Sequence, residues 1–339
     1  NLSQNLCPPV GIASSSTIPE LLSQLKQQPA SQVRILALRS LGTTLRQIGN
    51  LSASEMMLNQ ALSSAQTVAN QDIPSLLLSL AITEQAQVKQ AQVHYDLAED
   101  YDREVIELET IETNLENAIA HYQQAANSSQ ANATIQLQSA LNLLRLSRDI
   151  DQWVTRYQTF TTPKLQALQK NLASERPQLI EEIESMSLEA LPAVEAIQAH
   201  LHYGETLLQF LSTPNLMIGL PASSKMADTT RDRAQTALQL ARKIGDQRHQ
   251  SLALGILARL NYQTNRLEAA QSTAMEALNL AQSISAWDLS YQWRYLLAQL
   301  AQKQRNSTKA IEHYRAAIVN LNQVREMLSG GNLELQLSF

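Results

Sequence analysis

The sequence predicts an all-α solenoid of stacked helical hairpins, and three observations lead there. The first is a period of 40 residues in the last third of the chain. Ala237, Ala277 and Ala317 fall in register, as do Leu238, Leu278 and Ile318, then Ala241, Ala281 and Leu321, then Ile244, Ile284 and Val324. A fixed period of this size is what a repeat array leaves in a sequence, because each unit must offer the same face to its neighbour. The second is composition: 4% of the 339 residues are aromatic, with 9 Gly and 10 Pro, so strand formers and turn formers are scarce. The third is that Ala, Leu, Gln, Glu and Ser dominate long stretches, with no alternation of apolar and polar residues over strand length before the tail.

Each element follows from local signals. Residues 1–31 read as an N-terminal arm, irregular around Cys7-Pro8-Pro9, with a first short helix. The solenoid spans 32–328. Its first hairpin carries Leu41-Gly42, Gly49, Ser54 and Ala61-Leu62, with Gly49 ending one helix and Ser52 or Ser54 starting the next. The second runs from Leu80-Ala81 through Ala118, Tyr122 and Ala125, with Pro74 at an early helical position and an insertion near 95–113. Weaker units run from Leu141 through Trp153 and from Tyr203-Gly204 across to Ala237, and the period fades between about 130 and 215. Segment 212–229 interrupts the last of these with three breakers and reads as a lid over a groove or a disordered insertion. In the closing units Leu257-Ala258 matches Leu297-Ala298, Leu260 matches Leu300, and Ala270 matches Ala310. Asp72, Asp246 and Asp288 each precede a first helix and are expected to cap it. Residues 329–339 form a tail in which Leu333, Leu335, Leu337 and Phe339 alternate like a strand after Ser329-Gly330-Gly331, as at a boundary to a further domain. The small residues have one physical reason: where two helices cross closely, little more than a Cβ fits.

Composition and motif content exclude several function classes. Net charge is −5, from 26 Lys plus Arg against 31 Asp plus Glu, with no basic tract, which argues against nucleic acid. No apolar run is long enough to span a bilayer, since Ile73 to Ile82 gives way to Thr83-Glu84-Gln85. A soluble protein is expected, cytoplasmic or exported from a bacterium. Opening at Asn1 without Met, the chain reads as a processed product or an excised fragment. Cys7 stands without a nearby His or a nucleophile motif. His200 and His202 point about 200° apart on a helix, so with Glu205 they cannot chelate a metal together. The acidic run from Asp96 to Glu116 has no Gly to turn a calcium loop, and reads as a solvated acidic helix able to steer a basic partner. No phosphate loop, Ser elbow or zinc-protease motif occurs. Asn-x-Ser/Thr triplets at Asn1, Asn50, Asn127, Asn132 and Asn306 are read as chance. No catalytic residue, cofactor or metal is expected.

The small-residue pattern at Gly42, Ser54 and Ala61, at Ala258, Ala270 and Ala277, and at Ala298, Ala310 and Ala317 resembles the tetratricopeptide repeat (TPR) family. That resemblance implies a right-handed superhelical α-solenoid, about six repeats with some insertions, and a preformed concave groove for a protein or peptide ligand. By helical phase, Arg39, Thr43 and Arg46, then Arg259, Tyr262 and Gln263, then Tyr295, Gln299 and Gln302 face that groove. Arg39, Arg46 and Arg259 suggest an acidic or C-terminal carboxylate ligand. A narrower resemblance lies in Trp287-Asp288, Tyr291-Gln292-Trp293, Ala310-Ile311, Tyr314-Arg315 and Asn320 through Phe339, which look like the repeats preceding CHAT (caspase-like) domains in cyanobacterial proteins. It implies a regulatory or substrate-recognition role for a C-terminal CHAT domain beyond this chain. Homodimerisation through terminal hairpins is a third reading, since no polar capping helix follows Leu328.

Overall fold

The structure, a computed structural model, describes residues 29–68, 72–157, 161–213 and 220–329. The expected arm around Cys7 and the alternating tail lie outside the described residues. Among the described residues twelve α-helices follow one another: α1 (Gln32–Gln47), α2 (Leu51–Thr67), α3 (Ile73–Asp96), α4 (Tyr101–Asn127), α5 (Ala133–Arg156), α6 (Pro163–Ser185), α7 (Ala193–Leu211), α8 (Ser223–Ile244), α9 (Gln247–Gln263), α10 (Leu267–Ser283), α11 (Trp287–Lys303) and α12 (Ser307–Ser329). Among the described residues one 3-10 turn, Leu188–Ala190, interrupts the series.

Odd and even helices pair into six antiparallel hairpins, and each hairpin stacks on the next to give an all-α solenoid. The two rows differ. Every consecutive pair of first helices packs together, α1 on α3, α3 on α5, α5 on α7, α7 on α9 and α9 on α11, whereas among second helices only α4 and α6 meet comparably. In a curved two-layer stack the row whose members touch lies on the inside of the bend. The first helices are therefore the inner row. The apolar core runs the length of the stack in three overlapping segments, bridged by Leu62 and Ile73 at one joint and by Leu211 at the other.

The nine small residues of the repeat pattern, from Gly42 to Ala317, are all buried. The turns between successive helices from α8 onward are equally regular, within hairpins and between them. Gly245, Asn265, Ser285 and Arg305 stand 20 residues apart and share positive φ values of 74°, 59°, 55° and 60°. In each turn the following N–H reaches back five residues to a carbonyl, as from Asp246 to Ala241 at 2.9 Å and from Ala286 to Ala281 at 2.8 Å. This is a Schellman C-cap, whose left-handed residue is easiest as glycine. Ser285→Gly and Arg305→Gly are each expected to raise stability by about 0.5–1 kcal/mol, because the strain relieved outweighs the added chain entropy. Gly245→Ala is expected to cost about 1 kcal/mol, although nothing lies within 4 Å of the added Cβ. Thermal midpoints of the three variants check the pattern.

Three expectations about helix starts need correction. Asn50, not Ser52 or Ser54, caps α2 by accepting from the Ala53 N–H at 3.2 Å, and Ser54 is buried within the helix. Asp246 caps α9 as expected, through the His249 N–H at 3.0 Å. Asp72 precedes α3 without bonding its N–H groups, because its carboxylate accepts instead from Gln32 Nε2 at 2.7 Å. Asp288 sits inside the first turn of α11, behind Ala286, and pairs with Arg248 one repeat earlier at 3.2 Å. The length read as an insertion near 95–113 is taken up by α3 and α4 themselves, 24 and 27 residues long. Within 212–229, residues 214–219 lie outside the described residues and α8 begins at Ser223.

Candidate groove along the inner row

The nine expected groove residues all lie on first helices, α1, α9 and α11, but they do not form one surface. Five of them, Arg259, Tyr262, Gln263, Tyr295 and Gln299, line a single cavity of about 450 Å³ between α9 and α11, with Ser212 after α7 also in its lining. Tyr291 also lines it and was not anticipated. Tyr295 is exposed and meets Tyr314 edge to face at 5.7 Å, while Gln302 accepts from the Tyr314 hydroxyl at 3.2 Å just outside the cavity. The Tyr262 ring carries Lys303 Nζ at 4.7 Å. Gln263 reaches across to Ser212 Oγ and to the Leu208 carbonyl, tying α9 to the end of α7. The wall behind is Trp293, buried over Gly255, with its Nε1–H donated to Ser251 Oγ at 2.9 Å.

The arginines expected to greet an acidic ligand are already engaged. Arg259 forks onto the Glu205 carboxylate, with Nη1 at 2.8 Å from Oε1, and lies over Trp293 at 5.8 Å. Arg39 stands 3.7 Å from Asp72. Arg46 donates to the Ser79 carbonyl at 3.1 Å, with half-buried Thr43 beside it. Pairing of Glu205 with Arg259 follows from phase, since each comes one residue after a small contact residue, Gly204 and Ala258, on adjacent first helices.

Uncompensated positive charge lies elsewhere in the inner row. Lys89 on α3 and Arg145 and Arg148 on α5 share one carboxylate, Asp149. Lys89 Nζ is 3.3 Å and Arg145 Nε 3.9 Å from the same Asp149 oxygen, and Arg148 holds the other and reaches on to Gln209 of α7. Burial, then Arg145 and Arg148, lower the Lys89 pKa to about 8. Burial, then Arg145, lowers that of Arg148 to about 10. Arg148 Nε is buried with no hydrogen-bond partner among the described residues. Three cations share Asp149, and Glu205, the other carboxylate acting on Arg148, is already bound by Arg259, so the site is short of an anion.

The histidine cluster does not converge. His200 is buried, with its pKa lowered to about 4 chiefly by burial and further by Arg233, whereas His202 is exposed and Glu205 is spent on Arg259. Among the described residues no group of three His, Cys, Asp or Glu side chains is placed to hold a metal, and no helix is long and apolar enough to cross a membrane. The acidic run forms the end of α3 and the start of α4, whose buried stripe is Ile111, Leu115, Ala118, Tyr122 and Ala125.

No protein-family model matches the sequence, and no curated protein matches it. Among solved structures, the chain is similar to a circular tandem repeat protein with novel repeat topology and enhanced subunit contact surfaces, at 12% identity over 93% of this chain and 77% of that one, with a TM-score of 0.32.

Proposed function

We propose that the chain is a non-catalytic scaffold of TPR-like hairpins that seats an acidic segment of a partner protein along its inner row. The observation that carries this is the cavity between α9 and α11: it is lined by first helices and the end of α7, and it presents Tyr262, Tyr291 and Tyr295. Tyrosines offer large contact area at low entropic cost and recur as binding anchors. A wall formed by the folded stack needs no ordering on binding, which removes part of the cost of association. The Lys89, Arg145 and Arg148 cluster supplies the charge preference. At roughly 9 Å between neighbouring helix axes, α5 and α11 are about 27 Å apart, which an extended ligand covers in about eight residues. The ligand read from this spacing has a large apolar or aromatic residue for the cavity and carboxylates about eight residues away. The same surface would serve as the recognition region of a larger CHAT protease-like protein; the length of the native reading frame decides between that and a free-standing adaptor.

Selection of a displayed library of random 12-residue peptides on the full chain tests the proposal. Enriched peptides are expected to combine an aromatic anchor with a displaced acidic pair, and to lose at least about tenfold in affinity on Tyr295→Ala. Enrichment without acidic residues, or equal binding to the variant, would contradict it.

A further inference from the structure

The α3–α4 hairpin ends in a tip that the groove does not use. Thr162 and Lys164, at the start of α6, meet Glu112 and Glu116 of α4. The stretch of α4 from Tyr101 to Ile111, about 16 Å of helix, therefore lies beyond the described start of α6. Four large apolar side chains are exposed here, Val93, Leu97, Tyr101 and Ile106, at 54–75% of their full surface. Leu97 and Ile106 line one cleft of about 330 Å³ together with Ala98, Arg103, which is turned to Asp100, and His94 and Glu107, 3.4 Å apart. The same tip carries Glu99, Asp102, Glu104 and Glu109, none in an ion pair with a described residue, while Asp100 is engaged by Arg103.

A tip that served only solubility would carry the carboxylates without the apolar residues. A tip built to pair with its own copy would bring like charges together, in a chain whose net charge is already −5. We propose that this tip is a second docking surface, whose partner is a basic amphipathic helix: its apolar face enters the cleft between Leu97 and Ile106, and its Lys and Arg side chains meet the carboxylates of the tip. Helix-in-groove recognition needs an apolar slot for anchors, and charge complementarity around it sets orientation and on-rate. The site is separate from the inner-row groove, so either reading can fail without the other.

The test uses the full chain and a labelled 18-residue peptide with Leu on one helical face and Lys on the other, beside a scrambled peptide of equal composition, read by fluorescence anisotropy. The amphipathic peptide is expected to bind at least about tenfold more tightly than the scrambled one. Leu97→Ser with Ile106→Ser should weaken it at least about fivefold, as should Glu99→Gln with Asp102→Asn and Glu104→Gln, and added salt should weaken the wild type. Leu97, Glu99, Asp102 and Ile106 are exposed and Glu104 is half-buried, so an unchanged thermal midpoint confirms that the variants fold. Binding equal to that of the scrambled peptide, or unaffected by both variants, would overturn the proposal. So would sedimentation showing a dimer that Leu97→Ser with Ile106→Ser dissolves, which would assign the patch to a second copy.

Discussion

Asp151→Ala is expected to destabilise the central hairpins by about 3–5 kcal/mol, because it breaks a buried ion pair by removing one partner. Arg176, 1% exposed within α6, directs Nη2 at Asp151 of α5 and at the Ser147 carbonyl at 3.0 Å, and Nε at Ser147 Oγ. The Phe210 ring of α7 covers it at 5.2 Å, and the other Asp151 oxygen accepts from Gln169 Nε2 at 2.8 Å. Removing the carboxylate takes an ion-pair partner away from a guanidinium that stays buried. Removing both charges, as Asp151→Leu with Arg176→Met, removes the penalty along with the pair, and most of the loss should return. Hydrogen exchange of α5 and α6 amides, which reads local stability in a stack that need not unfold in one step, distinguishes these outcomes. A single variant that costs no more than a surface substitution would show that the pair is not what holds α6 against α5.

Gly255→Ala is expected to cost about 3 kcal/mol and to close the inner-row cavity. A Cβ added there falls within the indole of Trp293, which is 1% exposed. The ring cannot slide away cheaply. Its Nε1–H is held by Ser251 Oγ, whose own hydroxyl donates to the Ala277 carbonyl at 2.8 Å, and Arg259 lies over its face. Overpacking of this kind forces backbone shifts rather than a rotamer change. Gly42→Ala offers the contrast, because the added Cβ there meets Leu58 Cγ at 2.8 Å and the Ser54 carbonyl oxygen at 3.2 Å, a tight contact rather than an overlap with a ring. Its cost should be smaller, about 1–2 kcal/mol. Denaturation midpoints rank the two, and Trp293→Leu should restore part of the loss in the Gly255 variant while leaving the Gly42 variant unchanged.

The ends of the stack were legible because their helix crossings are made with Gly and Ala. Gly42, Ala258 and Ala298 mark the contact face, and counting from them placed Arg259, Tyr262, Gln263, Tyr295 and Gln299, which line one cavity. The middle was not legible, for a physical reason. On α5 the corresponding place is held by Leu144, fully buried, and α6 crosses α5 over an Arg–Asp pair and carries Pro177 within the helix. Without a small residue to set the phase, Arg145 and Arg148, one and four residues after Leu144, carried no groove signal, although Thr43 and Arg46 hold the same offsets from Gly42. The sequence shows which residues are charged; it does not show which charges are already paired. That is why Arg259 was read as free when Glu205 holds it, and why the acidic preference moved to Lys89, Arg145 and Arg148. Helix starts were misjudged because the Asp72 carboxylate accepts from the Gln32 amide one repeat back instead of from its own helix, and because Asp288 falls inside the first turn, where it pairs with Arg248.

The inner row is tested most directly by the affinity of a library-selected acidic peptide at pH 7 and at pH 9.5, for the wild type, Lys89→Arg and Arg145→Glu. Lys89 titrates at about 8 in the free chain. A bound carboxylate favours its charged form and raises that value, so affinity is full below pH 8 and falls as pH rises above it. The expected result is a several-fold loss for the wild type at pH 9.5, no such loss for Lys89→Arg, and at least about tenfold weaker binding of Arg145→Glu at either pH. Affinity indifferent to pH and to reversal of charge at Arg145 would contradict an acidic ligand on the inner row.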